Sequence, residues 1–188
     1  MVDDLQKALV KIDYKIKPWD IVLIQTGADK LWGKPEYFDA GCGMTRDSTL
    51  WLIEQGIRVM GIDAWRWAPP FWAIKEEFRR TGDRSVLWGA HYAGMDKEYC
   101  HIEKLANLDQ LPRPFGFKVA CFPVKLTGGS AGWNRVVAVL EDCPQLPGIL
   151  SVNAGLTEMV ERIRCLFAAG KNYLRYSTAI YIISPTMA

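Results

Sequence analysis

Two short, uninterrupted apolar runs constrain the fold of this chain most. Residues 20–26 read DIVLIQT and residues 57–63 read IRVMGID, a composition typical of strands that are buried on both faces. A helical pattern precedes each run. Residues 3–12 repeat apolar side chains at helical spacing, and residues 45–55 are predicted to form a helix with Thr45 as its N-cap. The alternation of helix and buried strand predicts an α/β core.

The pattern continues beyond the second run. We predict a helix at residues 73–80, a third strand at residues 117–126 and a short helix at residues 134–140. Residues 1–141 are therefore expected to form one α/β domain.

The last part of the chain differs in character. The stretch LTEMVERIRCLF at residues 156–167 predicts an amphipathic helix, and YSTAIYIIS at residues 176–184 predicts a strand. We interpret residues 142–188 as a divergent C-terminal helix-strand extension that packs on the domain.

Composition excludes several classes of protein. The 188 residues are 49% hydrophobic and 23% charged, with 23 Lys and Arg against 21 Asp and Glu, so neither a disordered tail nor a nucleic-acid partner is indicated. No run approaches the roughly 18 apolar residues that a membrane span needs, and the first residues lack the apolar core of a signal peptide. A cytoplasmic protein without membrane association is predicted. Five widely spaced cysteines predict reduced thiols rather than a disulfide framework: Cys42, Cys100, Cys121, Cys143 and Cys165.

Only two histidines are available, which excludes a three-histidine zinc site within this chain. His91 and Glu103 lie twelve residues apart, so they can share a metal or act as a base and its orienting partner. The alternative is a satisfied, partly buried histidine and a surface carboxylate. His101 and Glu103 share a face only if they lie on a strand, and we interpret them as a solvated pair.

Other candidates cluster near the second predicted strand. Asp63 ends that strand, where α/β proteins place functional groups, although a turn aspartate explains it equally well. The segment AWRWAPPFW that follows cannot be regular because of its two prolines, and it contains Trp65, Trp67 and Trp72. These tryptophans are candidates for a substrate pocket wall or for a subunit contact.

Several phrases then occur in series along the chain. They are DIVLIQTG, LIEQGIRVMGID, the spacing from His91 to Glu103, EKLANLDQLP, and FPVKLTGGSAGWNRVVAVL at residues 122–140. Together they resemble the putative cyclase family, which includes bacterial kynurenine formamidase and isatin hydrolase, over residues 1–141.

The resemblance implies a swivelling β/β/α domain in a homodimer or homotetramer. It implies a metal-dependent hydrolase, with zinc or manganese, that opens an amide or lactam bond of a small aromatic substrate. Carried over by position, Glu103 is the metal ligand that begins the family's E-x-L-x-N-L phrase. His91 is the catalytic histidine twelve residues before it, and Asp63 and the three tryptophans are substrate-binding candidates.

One family feature is absent from this sequence. The metal motif His-x-Gly-Thr-His-x-Asp-x-Pro-x-His does not occur, so the domain is expected to be N-terminally short. His91 and Glu103 alone are too few for a tight metal centre. The prediction is therefore an incomplete hydrolase. The alternative is a non-catalytic binding remnant, or a subunit whose partner supplies the missing ligands.

Overall fold

The computed structural model describes residues 2–140 and 178–183. Helices α1 to α4 and strands β1 to β3 form its first half. The helices are Val2–Lys11, Arg46–Glu54, Phe71–Thr81 and Gly89–Asp96, and the strands are Ile21–Gln25, Val59–Ile62 and Cys100–Ile102. Strands β4 to β6 follow, at Phe115–Pro123, Asn134–Val139 and Thr178–Ile183.

The six strands form one mixed sheet in the order β3-β2-β1-β6-β4-β5. Strands β3, β2, β1 and β6 run parallel, whereas β4 is antiparallel to both of its neighbours. The carboxyl ends of β1, β2 and β3 therefore meet at one edge, the place where open α/β sheets bind their ligands. Thr26, Asp63 and Glu103 follow directly at that edge.

Strand β1 is buried on both faces, as its apolar run predicts. Its residues Ile21 to Ile24 are each at most 8% exposed. Val22 and Ile24 belong to the core that also contains buried side chains of α1 and α2. Ile21 and Leu23 belong to the opposite core, with Leu105, Leu108 and Phe117. Helix α2 begins at the predicted N-cap, because the Thr45 hydroxyl accepts a hydrogen bond from the Ser48 amide.

The helix predicted at residues 134–140 is wrong. These residues form β5, which pairs antiparallel with β4 so that Cys121 faces Val136. The sequence NRVVAV is rich in β-branched residues, which favour a strand once a partner strand is available. The glycine-rich connection, with Gly128 at φ +73°, allows the chain to reverse.

The strand predicted at residues 176–184 is confirmed as β6. It lies between β1 and β4. Its residue Ala179 pairs with Ile21 of β1 on one side and with Phe117 of β4 on the other. The helix predicted at residues 156–167 lies outside the described residues, and the boundary at residues 141–142 stays a prediction.

The expectations about the cysteines and about membrane-spanning helices can be compared with the described residues alone. Cys42, Cys100 and Cys121 form no disulfide within the described residues, whereas Cys143 and Cys165 lie outside the described part of the chain. Among the described helices, none is both long enough and apolar enough to cross a bilayer.

Candidate functional site

A cluster of two imidazoles and one carboxylate lies beside the carboxyl edge of the sheet. His91 projects from α4, His101 lies in β3, and Glu103 follows β3 directly. The Nε2 atoms of His91 and His101 are 3.6 and 3.5 Å from the Glu103 Oε1 atom. One ligand atom from each residue lies within 4.8 Å of the other two, so we name these residues the His/Glu cluster.

The backbone after β3 places the Glu103 carboxylate. Its Oε1 atom accepts a hydrogen bond of 2.7 Å from the Trp67 amide. The next two residues are tied to the end of β2 and to the segment that follows it, because the Leu105 amide donates to the Ile62 carbonyl and the Lys104 amide donates to the Ala64 carbonyl. The connection after β2 thus holds Glu103 through the main chain.

Aromatic rings surround the two histidines. The His101 ring stacks on Trp67, with centroids 5.7 Å apart and planes 21° apart. His91 meets Trp88 edge to face at 5.2 Å and His101 at 5.1 Å. The Nδ1 atom of His91 is buried and has no hydrogen-bond partner among the residues that the structure describes.

The Glu103 carboxylate is ionised in this environment. Burial raises its pKa, but the contacts from His101 and His91 and the Trp67 amide outweigh burial and hold the pKa well below its usual range. Lys104 adds positive charge, with its Nζ atom 3.6 Å from the Glu103 Oε2 atom. The cluster therefore offers an anionic oxygen beside two imidazole nitrogens.

His101 is the site residue that the sequence interpretation missed. We expected a solvated pair with Glu103, yet the His101 side chain is only 26% exposed and lies against Trp67. The available signal was the i, i+2 spacing, which brings two side chains to one face of a strand. Strand β3 has only three residues, too few for a recognisable strand pattern.

Asp63 lies at the same edge of the sheet but does not join the cluster. Its Oδ1 atom accepts hydrogen bonds from the Thr26 amide and hydroxyl, at 2.8 and 2.7 Å, and its Oδ2 atom accepts one from the Gly27 amide at 2.7 Å. Burial raises its pKa, and these hydrogen bonds partly oppose that rise. The geometry favours the turn interpretation, and a substrate role stays a prediction.

The three candidate tryptophans occupy different environments. Trp67 is fully buried, and its Nε1 atom donates to the Thr49 hydroxyl at 3.1 Å. Trp65 and Trp72 are 37% and 58% exposed. Trp67 therefore supports the cluster from the interior, while Trp65 and Trp72 have surface available for contacts.

A cavity of about 580 Å³ adjoins the cluster on one side. It lies between residues 102–111 and the hairpin of β4 and β5, and Glu103 is the cluster residue in its wall. Its volume is within the range of small-molecule sites, about 300–1,000 Å³. Leu105, Val119 and Trp133 are among the apolar residues that line it.

Comparisons with known proteins relate the first part of the chain to a family. Residues 1–69 match the model of the family described as "Putative cyclase". The resemblance inferred from the sequence is confirmed in this part of the chain, which ends before His91. No curated protein matches the chain significantly.

A solved structure matches more of the chain. It is an isatin hydrolase bound to the product analogue thioisatinate, with a TM-score of 0.59 and 20% sequence identity. The match covers 74% of this chain and 52% of the other, so this chain spans about half the length of that hydrolase. The likeness shows a shared fold of mixed helix and sheet, and the swivelling description of the domain stays a prediction.

Proposed function

We propose that the chain is a metal-dependent hydrolase of the cyclase type that opens an amide or lactam bond of a small aromatic compound. The observation that carries the proposal is the His/Glu cluster, placed at the ligand-binding edge of a sheet with the fold of an isatin hydrolase. The zinc or manganese, the substrate, the homodimer or homotetramer and the cytoplasmic location are parts of this proposal.

The donor atoms of the cluster fit a divalent metal. Two histidines and one glutamate are the protein ligands of one class of catalytic zinc sites, which keep a fourth position for water or substrate. Ligands at zinc bond lengths in a tetrahedral arrangement lie about 3.3 Å apart, and the measured nitrogen to oxygen separations are 3.5 and 3.6 Å. His91, His101 and Glu103 would hold the ion, whereas the sequence predicted Glu103 as a ligand and His91 as the catalytic histidine.

The chain's own residues prepare this site for hydrolysis. When bound, a metal supplies a water of pKa near 7, ready for attack on an amide carbonyl. The Trp67 amide fixes one Glu103 oxygen, and Trp67 and Trp88 restrict the rings of His101 and His91. These contacts fix the donor atoms before the substrate arrives. Such preorganisation is the condition for strong electrostatic stabilisation of the transition state.

A second candidate is a binding subunit whose partner completes the site. The sequence contains only two histidines, and both already belong to the His/Glu cluster, which favours it. The two candidates differ in one property, because only the first requires the chain alone to bind a metal and turn over substrate.

The first experiment uses the full chain, stripped with a chelator and reloaded with Zn²⁺ or Mn²⁺. We expect about one equivalent of metal per chain, and metal-dependent hydrolysis of a formamide such as formanilide or of the lactam isatin. Elemental analysis and product absorbance measure the two results. A folded chain that binds neither ion would refute the proposal, and bound metal without turnover of either substrate would favour the binding subunit.

Replacing His91 with alanine is expected to reduce hydrolysis about 100-fold or more while leaving the fold intact. The His91 side chain is partly exposed, and its Nδ1 atom makes no hydrogen bond to the described part of the chain, so little packing is lost. Steady-state kinetics and circular dichroism measure the two effects. If His91→Ala binds no metal, His91 is a ligand. If His91→Ala binds metal but does not turn over substrate, His91 is the catalytic histidine that the family resemblance implies. Unchanged turnover would remove His91 from the mechanism.

A further inference from the structure

Arg66 is a buried cation between β2 and α3. The residue is only 7% exposed. Its guanidinium carbon lies 4.3 Å from the centroid of the Phe38 ring and 3.7 Å from that of the Phe71 ring. One terminal nitrogen donates to the Phe38 carbonyl at 3.3 Å. The two rings thus fix the plane of the guanidinium.

The charge of Arg66 has no carboxylate partner within the described residues. It forms no ion pair there, and its second terminal nitrogen, NH1, is buried without a hydrogen-bond partner. A buried cation with an unsatisfied donor costs free energy unless an anion binds it. Burial accordingly lowers the pKa of Arg66, although Asp39 and Glu103 partly oppose this effect.

The rings around this arginine reach the surface and lead to the His/Glu cluster. Phe38, Phe71 and Trp65 are 40%, 44% and 37% exposed. Phe38 contacts Trp65 at 5.3 Å and Phe71 at 6.0 Å, Phe71 contacts Trp88 at 5.6 Å, and Trp88 contacts His91. These ring contacts form a continuous series from the surface beside Arg66 to the His/Glu cluster.

Main-chain neighbours place the arginine close to the cluster. The residue that follows Arg66 is Trp67, whose amide binds Glu103. Lys104 follows Glu103 in the chain, and its Nζ atom lies 4.6 Å from the centroid of the Trp65 ring. Two positive groups thus contact these aromatic rings.

We propose that Arg66 forms an anion subsite that binds the carboxylate of an aromatic ligand. A carboxylate supplies the acceptor that NH1 lacks and the direct ion pair that the described residues do not offer the guanidinium. The exposed rings of Phe38, Phe71 and Trp65 supply stacking surface, and displacement of the Phe38 or Phe71 side chain admits the carboxylate. The inference rests on the proposed function, for which it identifies the substrate as a small aromatic acid.

The test measures binding to the full chain without metal, so that a carboxylate cannot bind a metal ion instead. The ligands are benzoate, its neutral isostere benzamide, and acetate, which keeps the charge but lacks the ring. We expect benzoate to bind about tenfold or more tightly than either of the other two. Ligand-observed NMR titration measures the three dissociation constants.

Arg66→Met is the decisive variant. Methionine is apolar and flexible, so it can remain between the two rings while the charge is removed. We expect benzoate to bind this variant no better than benzamide does. Arg79→Met removes an exposed arginine from α3 and should leave benzoate binding unchanged.

Two results would overturn the inference. One is that the wild-type chain binds benzoate and benzamide equally, or binds neither. This result overturns the inference even if Arg66→Met does not fold. The other is unchanged benzoate binding in Arg66→Met. Either result would leave Arg66 with only a structural role, as the side chain that packs against the rings of Phe38 and Phe71. Loss of metal binding and hydrolysis with retained, Arg66-dependent benzoate binding would refute the proposed function and keep the subsite.

Discussion

Glu103→Gln is expected to abolish metal binding by the isolated chain and to reduce amide hydrolysis to the rate in buffer. The substitution keeps the size of the side chain and a carbonyl oxygen that can still accept the Trp67 amide hydrogen bond. It removes the negative charge, and carboxylates bind divalent metals in their ionised form. Loss of an outer-shell partner costs about 10–100-fold in metal affinity, so loss of a direct ligand should exceed that range.

Calorimetric titration with Zn²⁺, together with hydrolysis of the substrates that the wild type accepts, measures the effect of Glu103→Gln. Glu98→Gln is the matched control, because Glu98 is an exposed glutamate only five residues earlier. It should bind metal and hydrolyse substrate as the wild type does. Metal affinity in Glu103→Gln within about tenfold of the wild type would show that Glu103 is not a ligand.

The strands around the candidate site could be predicted because their sequences are locally distinctive. The run at Asp20–Thr26 is apolar and closed by glycine, and such a run is stable only between two packed layers. The position of Glu103 after a strand, by contrast, depends on β3, whose three residues are held by pairing with β2. Non-local pairing of this kind leaves no periodic signal in the sequence.

The same reason explains the error at residues 134–140. An isolated NRVVAV segment has no local feature that decides between helix and strand, and the antiparallel partner β4 decides the outcome. The membership of His101 in the cluster has a similar origin. Its ring is placed by Trp67, which lies 34 positions earlier in the chain. Only the assembled sheet brings these residues together.

The role of Trp67 also follows from burial that the sequence could not reveal. The segment AWRWAPPFW contains three tryptophans, and nothing in it separates an interior ring from a surface ring. The structure places Trp67 in the same core as Leu52 and Ile53, whereas Trp72 remains mostly exposed. The two residues should therefore respond very differently to substitution.

Trp67→Ala is expected to lower the free energy of unfolding by about 3–5 kcal/mol, the range for loss of a large buried aromatic side chain. The ring has no exposed surface, and its removal also leaves Thr49 without the indole donor. The backbone hydrogen bond from residue 67 to Glu103 remains possible, so the direct effect falls on the core and on the ring of His101. Urea denaturation followed by circular dichroism measures the change.

Trp72→Ala is the matched control, and it should change the free energy of unfolding by no more than about 0.5 kcal/mol because surface substitutions cost little. If Trp67→Ala is too unstable to purify, Trp67→Phe keeps an aromatic ring near His101 while still losing the Nε1 hydrogen bond to Thr49. Equal stability of Trp67→Ala and the wild type, with a change confined to KM, would contradict the interior role. It would instead favour the interpretation of Trp67 as part of the substrate pocket wall. The comparison therefore separates support of the cluster from contact with the ligand, which the sequence alone leaves open.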